Sequence, residues 1–391
     1  MGADATTFEQ LKGYIRSWKP GSSNGEVDEE ARVLVASQWQ LMWWKFRKHK
    51  LAKVAGVVLI LFYLVAVFCE FVAPHDPHSL DTRYIHAPPQ PIRFFDAEGG
   101  FHFRPFVYRH IQHRDPLTFR LDYNEDHSRR YPIYLFPRGD SYLLWDVFES
   151  DRHLFGLGNG EKMLLMGADR MGRDLLSRIA YGARISLSIG LIGISISFVL
   201  GLIMGGISGY FGGRIDDIIQ RIIEFIMGIP GLPLWMTLSA ALPPDWPIIR
   251  VYFGITIILA FVGWTGLARV VRGRFLALRE EDFVMAARLA GAKERRIIAK
   301  HMVPSFLSYI IASLTLSIPQ MILGETALSF IGLGLRAPAI SWGVLLQDAM
   351  NIRAVAHHPW LLLPGIFVIF AVLAFNFLGD GLRDAADPYT R

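Results

Sequence analysis

Six stretches of this chain stay uncharged over the length of a bilayer, and they limit its class more than any other feature. A span needs about 20 mostly apolar residues. Val54 to Cys69, Ile185 to Gly213, Phe225 to Pro244, Val251 to Ala268, Met302 to Gly324 and Trp360 to Leu378 are such runs. The first stays apolar past Glu70 to Ala73, and the fifth resumes after Glu325 to Leu335. One such run fits a buried core helix equally well, but six in one chain predict an all-α polytopic membrane protein. Composition agrees: 52% of residues are hydrophobic and 19% charged, where a soluble domain carries about 25% charged. Mean hydropathy is +0.31. The net charge of +5 is too small to suggest a nucleic-acid partner. A single cysteine, Cys69, rules out an internal disulfide and a cysteine-based zinc cluster.

The placement of charge predicts the topology. Residues before the first run are polar, so a signal anchor is expected there rather than a cleaved signal peptide. Lys45, Arg47, Lys48, Lys50 and Lys53 precede it with no acid among them. Nine bases and four acids occupy the segment between the fourth and fifth runs. Positive-inside logic then places both termini in the cytoplasm. Trp43 and Trp44 suit an interfacial helix just before the first span. The expected organisation is a cytoplasmic segment over 1–53, a first transmembrane helix over 54–74, an extracytoplasmic insert over 75–184, and a five-helix core over 185–391.

The insert has no membrane-length run. Tyr131 to Pro137 and Ser141 to Val147 are expected strands, Asn124 to Arg130 a solvated loop, and the whole a small domain of mixed type. Eight of the twelve histidines lie there. His110 and His113 have the spacing of a helical metal pair, but no acid or cysteine at ligand spacing joins them, so no metal site is expected. Gly156 to Gly160 lacks the following lysine of a phosphate loop and is expected to be a plain loop.

Inside the membrane, Gly201, Gly205 and Gly209 repeat a small-xxx-small step. This allows close helix packing, either within the chain or against a second membrane subunit. Pro230 and Pro233 should kink the third span. Glu224 is expected near the cytoplasmic end, paired with Arg221 or Arg214 or facing a path. Glu325 is expected near the outer end, capping a re-entrant turn through Gly332 and Gly334 or facing a water-filled path. Glu224, Pro230, Glu325 and Ser329 are the candidates for a translocation path or gate.

The cytoplasmic segment from Glu280 to Pro304 is more than a connector. Acids lead and bases follow, as a helix dipole favours. Ala286 and Ala287 fall mid-helix, Gly291 is a stop, and a second short helix from Lys293 to His301 leads to Pro304. The predicted helix–turn–helix could dock in a partner's groove or lie on the lipid.

The spacing of Ala286-Ala287, Gly291, His301 and Pro304 resembles the EAA loop of the permease subunits of bacterial ABC importers. Three further stretches are similar to the C-type permeases of the dipeptide, oligopeptide and nickel class. They are Gly167-Ala168-Asp169-Arg170-Met171-Gly172-Arg173-Asp174-Leu175-Leu176-Ser177-Arg178, Gly324 to Gly334 with Ser341-Trp342-Gly343, and Gly379 to Pro388. The resemblance covers about 165–391 and 40–80. It implies a second homologous permease, two ABC ATPase subunits holding ATP and Mg, a periplasmic solute-binding protein, and location in a bacterial inner membrane. The ATPase-coupling loop implied is 272–301, with Asp282, Met285, Ala286, Ala287, Gly291, His301 and Pro304 as its contacts. Met285 stands where the motif usually carries glutamate. The insert is longer than is usual for the class. The chain has no GxxxxGK[ST] loop and no catalytic constellation, so it is expected to be no enzyme and to hold no cofactor. Related importers of oligosaccharides, opines or metal chelates, and a proton-coupled secondary transporter, are the alternatives.

Overall fold

The computed structural model describes residues 38–386 apart from 115, 118–120 and 159. Residues 1–37 of the expected N-terminal segment, Asp387 and Pro388 of the C-terminal motif, and Asn159 of the glycine run lie outside the described residues. Helix α1 (Gln38–Lys48) ends in Lys45, Arg47 and Lys48 and exposes Trp43 and Trp44. Helix α2 (Lys50–Val67) is the first span, and a single turn, α3 (Cys69–Val72), follows it.

Among the described residues of the insert, 75–174 hold strands and one 3-10 turn, Thr82–Tyr84, so the expected mixed domain is a β domain. Strands β1 (Arg93–Phe95), β2 (Phe101–Arg114), β3 (Leu121–Leu135) and β6 (Phe155–Leu157) form one antiparallel sheet in the order β1-β2-β3-β6. Strands β4 (Arg138–Leu144) and β5 (Phe148–Arg152) form a separate hairpin. The segment expected as a loop, Asn124 to Arg130, lies inside β3. Its polar side chains do not prevent pairing, because the ladder joins backbone groups, and its register sets Arg109 opposite Asp126. His110 and His113 sit on β2, not on a helix. An odd offset on a strand turns side chains to opposite faces, and here His110 is buried while His113 is exposed. Gly156, expected in a loop, is in β6.

Helix α4 (Leu175–Phe211) begins ten residues before the expected span, because Asp174 caps it by accepting the N–H groups of Leu176 and Ser177. The expected third span is not one kinked helix. Helix α5 (Gly213–Met227) and helix α6 (Gly231–Ala240) meet at 84°. Pro230 is the N-cap of α6. It disfavours helix at Ile229 and has no N–H to continue α5, so the chain turns instead. Pro233 falls in the first turn of α6, where its missing donor costs nothing. Helix α7 (Ile248–Leu278) carries the chain back. Helix α8 (Asp282–Leu289) and the turn α9 (Glu294–Ile297) follow, and then a π-turn, Ile298–Met302, enters α10 (Val303–Ile331). Beyond it lie α11 (Trp342–Leu345), 3-10 turns, α12 (Ile352–His357) and the last span, α13 (Leu363–Ala386). Among the described residues, five helical stretches are long and apolar enough to cross a membrane, or six if the bent pair counts as one span.

The largest apolar core joins Ala55 and Leu59 of α2, Ile179, Ala183 and Leu187 of α4, Ile318 and Ile322 of α10, Trp342 of α11, and Ala371 and Phe375 of α13. The glycine stripe of α4 faces α7. A methyl group added at Gly201 would lie 2.9 Å from Leu267 Cβ, and one at Gly209 would lie 2.6 Å from Phe275 Cβ. Of the two readings of that stripe, packing within the chain is the one observed.

Candidate functional site: a presented helix and two buried polar knots

Helix α8 is eight residues long, too short to persist in water alone. Packing holds it. Val284 is fully buried in a cluster with Tyr210, Val271, Phe275, Ile297, Met302 and Phe306, and Ala287 packs beside it. The Arg288 guanidinium lies 5.3 Å from the Tyr210 ring centre. The end is sharp because Gly291 adopts φ +72°. The Gly291 N–H donates to Arg288 O at 2.9 Å and the Ala292 N–H to Ala287 O at 3.1 Å. That is a Schellman stop, which favours glycine at this position. The opposite face is left open. Phe283 is 42% exposed, Met285 49% and Leu289 90%, and Asp282 and Ala286 are exposed beside them. The side of this short helix that faces away from its own chain is therefore open, while its other side is held by packing.

Residues 272–278 of the segment expected as the coupling loop, 272–301, belong to α7. Nor is there a separate second helix from Lys293 to His301. The π-turn joins α9 directly to α10, so that 294–331 forms one span. His301 and Pro304 are exposed on its first turns.

Below α8, Arg272 clasps Asp216: Nε donates to Oδ1 at 2.5 Å and Nη2 donates to Oδ2. Ser208 Oγ donates to the same carboxylate and accepts from Gln220 Nε2 at 3.0 Å. The clasp ties the ends of α4, α5 and α7 together. Sequence reasoning missed it, because an acid and a base 56 residues apart carry no local signal.

Of the path candidates, Glu325 and Ser329 are brought together by a hydrogen bond, while Glu224 lies on α5 and Pro230 caps α6. Glu325 is fully buried and accepts three hydroxyls: Ser329 Oγ at 2.8 Å, Ser341 Oγ at 2.7 Å and Ser186 Oγ at 3.3 Å. Each serine also accepts a backbone N–H, from Leu335, Val344 and Trp342 respectively. The knot fastens α4, α10 and α11, satisfying a buried carboxylate with donors from three elements. Glu224 accepts Arg221 Nη1 at 3.0 Å on an exposed surface, so of the two bases expected for it, Arg221 is the partner.

A second buried knot marks the start of α4. Asp169 accepts Arg173 Nε at 2.7 Å, the Arg178 guanidinium, and the N–H groups of Met171 and Arg173 at 2.8 and 3.0 Å. Burial pushes its carboxyl up, and the Arg178 and Arg173 charges outweigh burial, so it lies below the ordinary carboxylate range. Arg170 reaches Asp348 at 3.1 Å, linking this loop to the turn after α11. The structure thus brings two of the quoted motifs, Gly167 to Arg178 and Ser341 to Gly343, to one end of the molecule.

The comparisons with known proteins bear on this arrangement. The family described as binding-protein-dependent transport system inner membrane component matches residues 197–391. The N-terminal TM domain of oligopeptide transport permease C matches residues 37–89. The oligopeptide transport system permease protein OppC of Bacillus subtilis (strain 168) is 30% identical over 375 residues, 96% of this chain and 97% of that protein. The chain belongs to this permease family. The dipeptide transport system permease protein DppC of the same organism is 43% identical over 225 residues, 58% of this chain and 68% of that protein. A chain of the inward-facing MetNI methionine ABC transporter aligns at TM-score 0.42 and 19% identity, over 54% of this chain and 96% of its own. The two family matches leave 90–196 uncovered, whereas the full-length relative spans most of the permease, the β insert included.

Proposed function

We propose that the permease is the C-type subunit of an ATP-driven, binding-protein-dependent importer of peptides in a bacterial inner membrane, with both termini cytoplasmic. A second homologous permease completes the path. Two ABC ATPase subunits hold ATP and Mg, and a solute-binding protein delivers the ligand on the insert's side. The peptide substrate rests on the dipeptide and oligopeptide relatives. The observation that carries the mechanism is the open face of α8. Phe283, Met285 and Leu289 are exposed on a helix whose other side is anchored by Val284. Met285 replaces the motif's acid, so the contact offered to an ATPase cleft is apolar at that point. Closure of the ATPase pair on ATP would push α8 as a rigid body, because its stop at Gly291 and its packing leave it no room to yield.

The test is Leu289→Asp. Leu289 is 90% exposed, so the variant folds and inserts normally while a charge enters the proposed cleft. An unpaired charge in a desolvated interface costs about 2–5 kcal/mol. The expected result is normal membrane level with loss of ATPase co-purification or of peptide uptake. Normal uptake and normal ATPase recovery would refute the coupling role.

A further inference from the structure

The β4–β5 hairpin is amphipathic along its length. Its base is charged, with Arg138 3.6 Å from Asp151. Its tip carries Leu143, Trp145, Val147 and Phe148, which are 51%, 45%, 68% and 59% exposed. The tip does not point freely into water. Trp145 Nε1 donates to Val67 O at 2.7 Å, and its ring lies 5.4 Å from that of Phe68. Val67 is the last residue of the first membrane span. This hydrogen bond ties the tip to the end of α2, and tryptophan favours the boundary between headgroups and hydrocarbon.

Two further observations agree. Trp145 and Asp146 have φ of 55° and 58°, the tight hairpin turn that favours asparagine and glycine. A tryptophan there pays backbone strain that water-facing turn chemistry would avoid. Beneath it, Tyr63, Ala66, Val67, Leu187 and Leu191 enclose an apolar hollow of about 340 Å³, with Trp145 as its roof. Arg184 borders it, with Nη1 on Glu70 at 2.6 Å and Nη2 on Val67 O at 3.0 Å. The hollow is continuous with the exposed apolar side of α2, where Leu64 is 48% and Val67 45% exposed. Asp146 and Glu149 line a second recess together with Leu143, Glu70 and Arg184, so the acids near the tip need not enter hydrocarbon.

We infer that the hairpin tip is a membrane anchor: Trp145, Val147 and Phe148 dip into the lipid leaflet on the insert's side, and an acyl chain fills the hollow under Trp145. The anchor would hold the β insert at a set tilt over the mouth of the permease. This rests on the helical core spanning a membrane and not on the import reading, so the two fail separately.

The test places a polarity-sensitive thiol dye at Val147→Cys and, in a second variant, at Phe103→Cys, which is 93% exposed in the same insert. Cys69 is fully buried, so the dye takes the new site. The assembled transporter is reconstituted in vesicles of phosphatidylethanolamine and phosphatidylglycerol with brominated acyl chains. At 147 the brominated lipid should remove most of the emission while iodide does little, and at 103 the reverse should hold. Iodide quenching at 147 equal to that at 103 would overturn the anchor. So would protection from both quenchers, which would mean that a protein partner covers the tip.

Discussion

The glycine stripe of α4 offers the sharpest test of the helical core, through Gly205→Ala. A methyl group there would overlap the Ala268 carbonyl oxygen and lie 2.8 Å from Val271 Cβ and 2.9 Å from Ala268 Cα. Carbon atoms pack at about 3.5–4.0 Å, so α4 and α7 must part by roughly 0.7 Å. A gap of that size forfeits a quarter to a half of each contact well. If the stretch from Gly201 to Gly209 makes on the order of 40 atom contacts of ~0.15 kcal/mol, parting the helices costs about 2 kcal/mol. That falls inside the usual range of 1–3 kcal/mol for overpacking. The controls are Gly266→Ala and Gly273→Ala on α7, where an added methyl meets nothing within 4 Å. These should be neutral, or gain up to about 1 kcal/mol from helix propensity. The assay is thermal melting of the purified permease at one scan rate. Gly205→Ala should melt several degrees below both controls. If it melts with them, the stripe does not carry the α4–α7 contact.

Two further outcomes follow from the end of the molecule that carries the insert. Arg178→Met should destabilise by about 3 kcal/mol or more, because it removes one of the two guanidiniums that compensate the buried Asp169. Asp169→Asn in the same chain should restore part of the loss, and additive losses in a double-mutant melting cycle would sink the pairing. Acid should loosen the junction between insert and core at His75, whose Nε2 accepts the Met163 N–H at 2.9 Å. Burial holds this imidazole down at about 4, against the ordinary 6.5. Its contribution is therefore complete above pH 6.5 and is lost as pH falls through 4, on the order of 3 kcal/mol in all. Melting temperatures should fall across that window, and His75→Gln should flatten the slope. An equal slope in the variant would show that other groups carry it.

Much of the helical core was legible because each span writes its own signal. Uncharged runs mark where lipid is tolerated, and the sequence around Gly291 states a helix stop in one residue. Most of the failures share one cause. Asn124 to Arg130 reads as a loop by polarity, yet it is a strand, since β3 is specified by its partner β2 rather than by its own pattern. The bend at Pro230 was legible as a weak point, but not its size, because 84° depends on what α5 and α6 pack against. Asp216 and Arg272, like Glu325 and Ser186, are brought together by helix packing across 56 and 139 residues. No local spacing announces such pairs. The hairpin tip hid for the opposite reason: Trp145, Val147 and Phe148 look like ordinary insert residues until the bond to Val67 ties them to the end of α2.

The mechanical consequence of the fold lies in α10. From Glu294 to Glu325 the helical path covers about 45 Å at 1.5 Å per residue, starting three residues after the stop at Gly291 and ending in the knot with Ser186 and Ser341. Such a rod delivers a push with little loss except where its backbone bonds are altered. There are two such places, the π-turn at Ile298–Met302 and Pro319 inside the helix. A π-turn at the entry lets the rod change angle without melting. Pro319 removes one backbone bond just below the knot. On the proposed reading, a displacement of α8 therefore rotates α10 about the π-turn. It reaches Glu325 only as a tilt, shared among the three serines that hold α4, α10 and α11. A carboxylate that accepts three hydroxyls can trade one of them for another donor during such a tilt, whereas a tightly packed apolar contact of the same area would have to part.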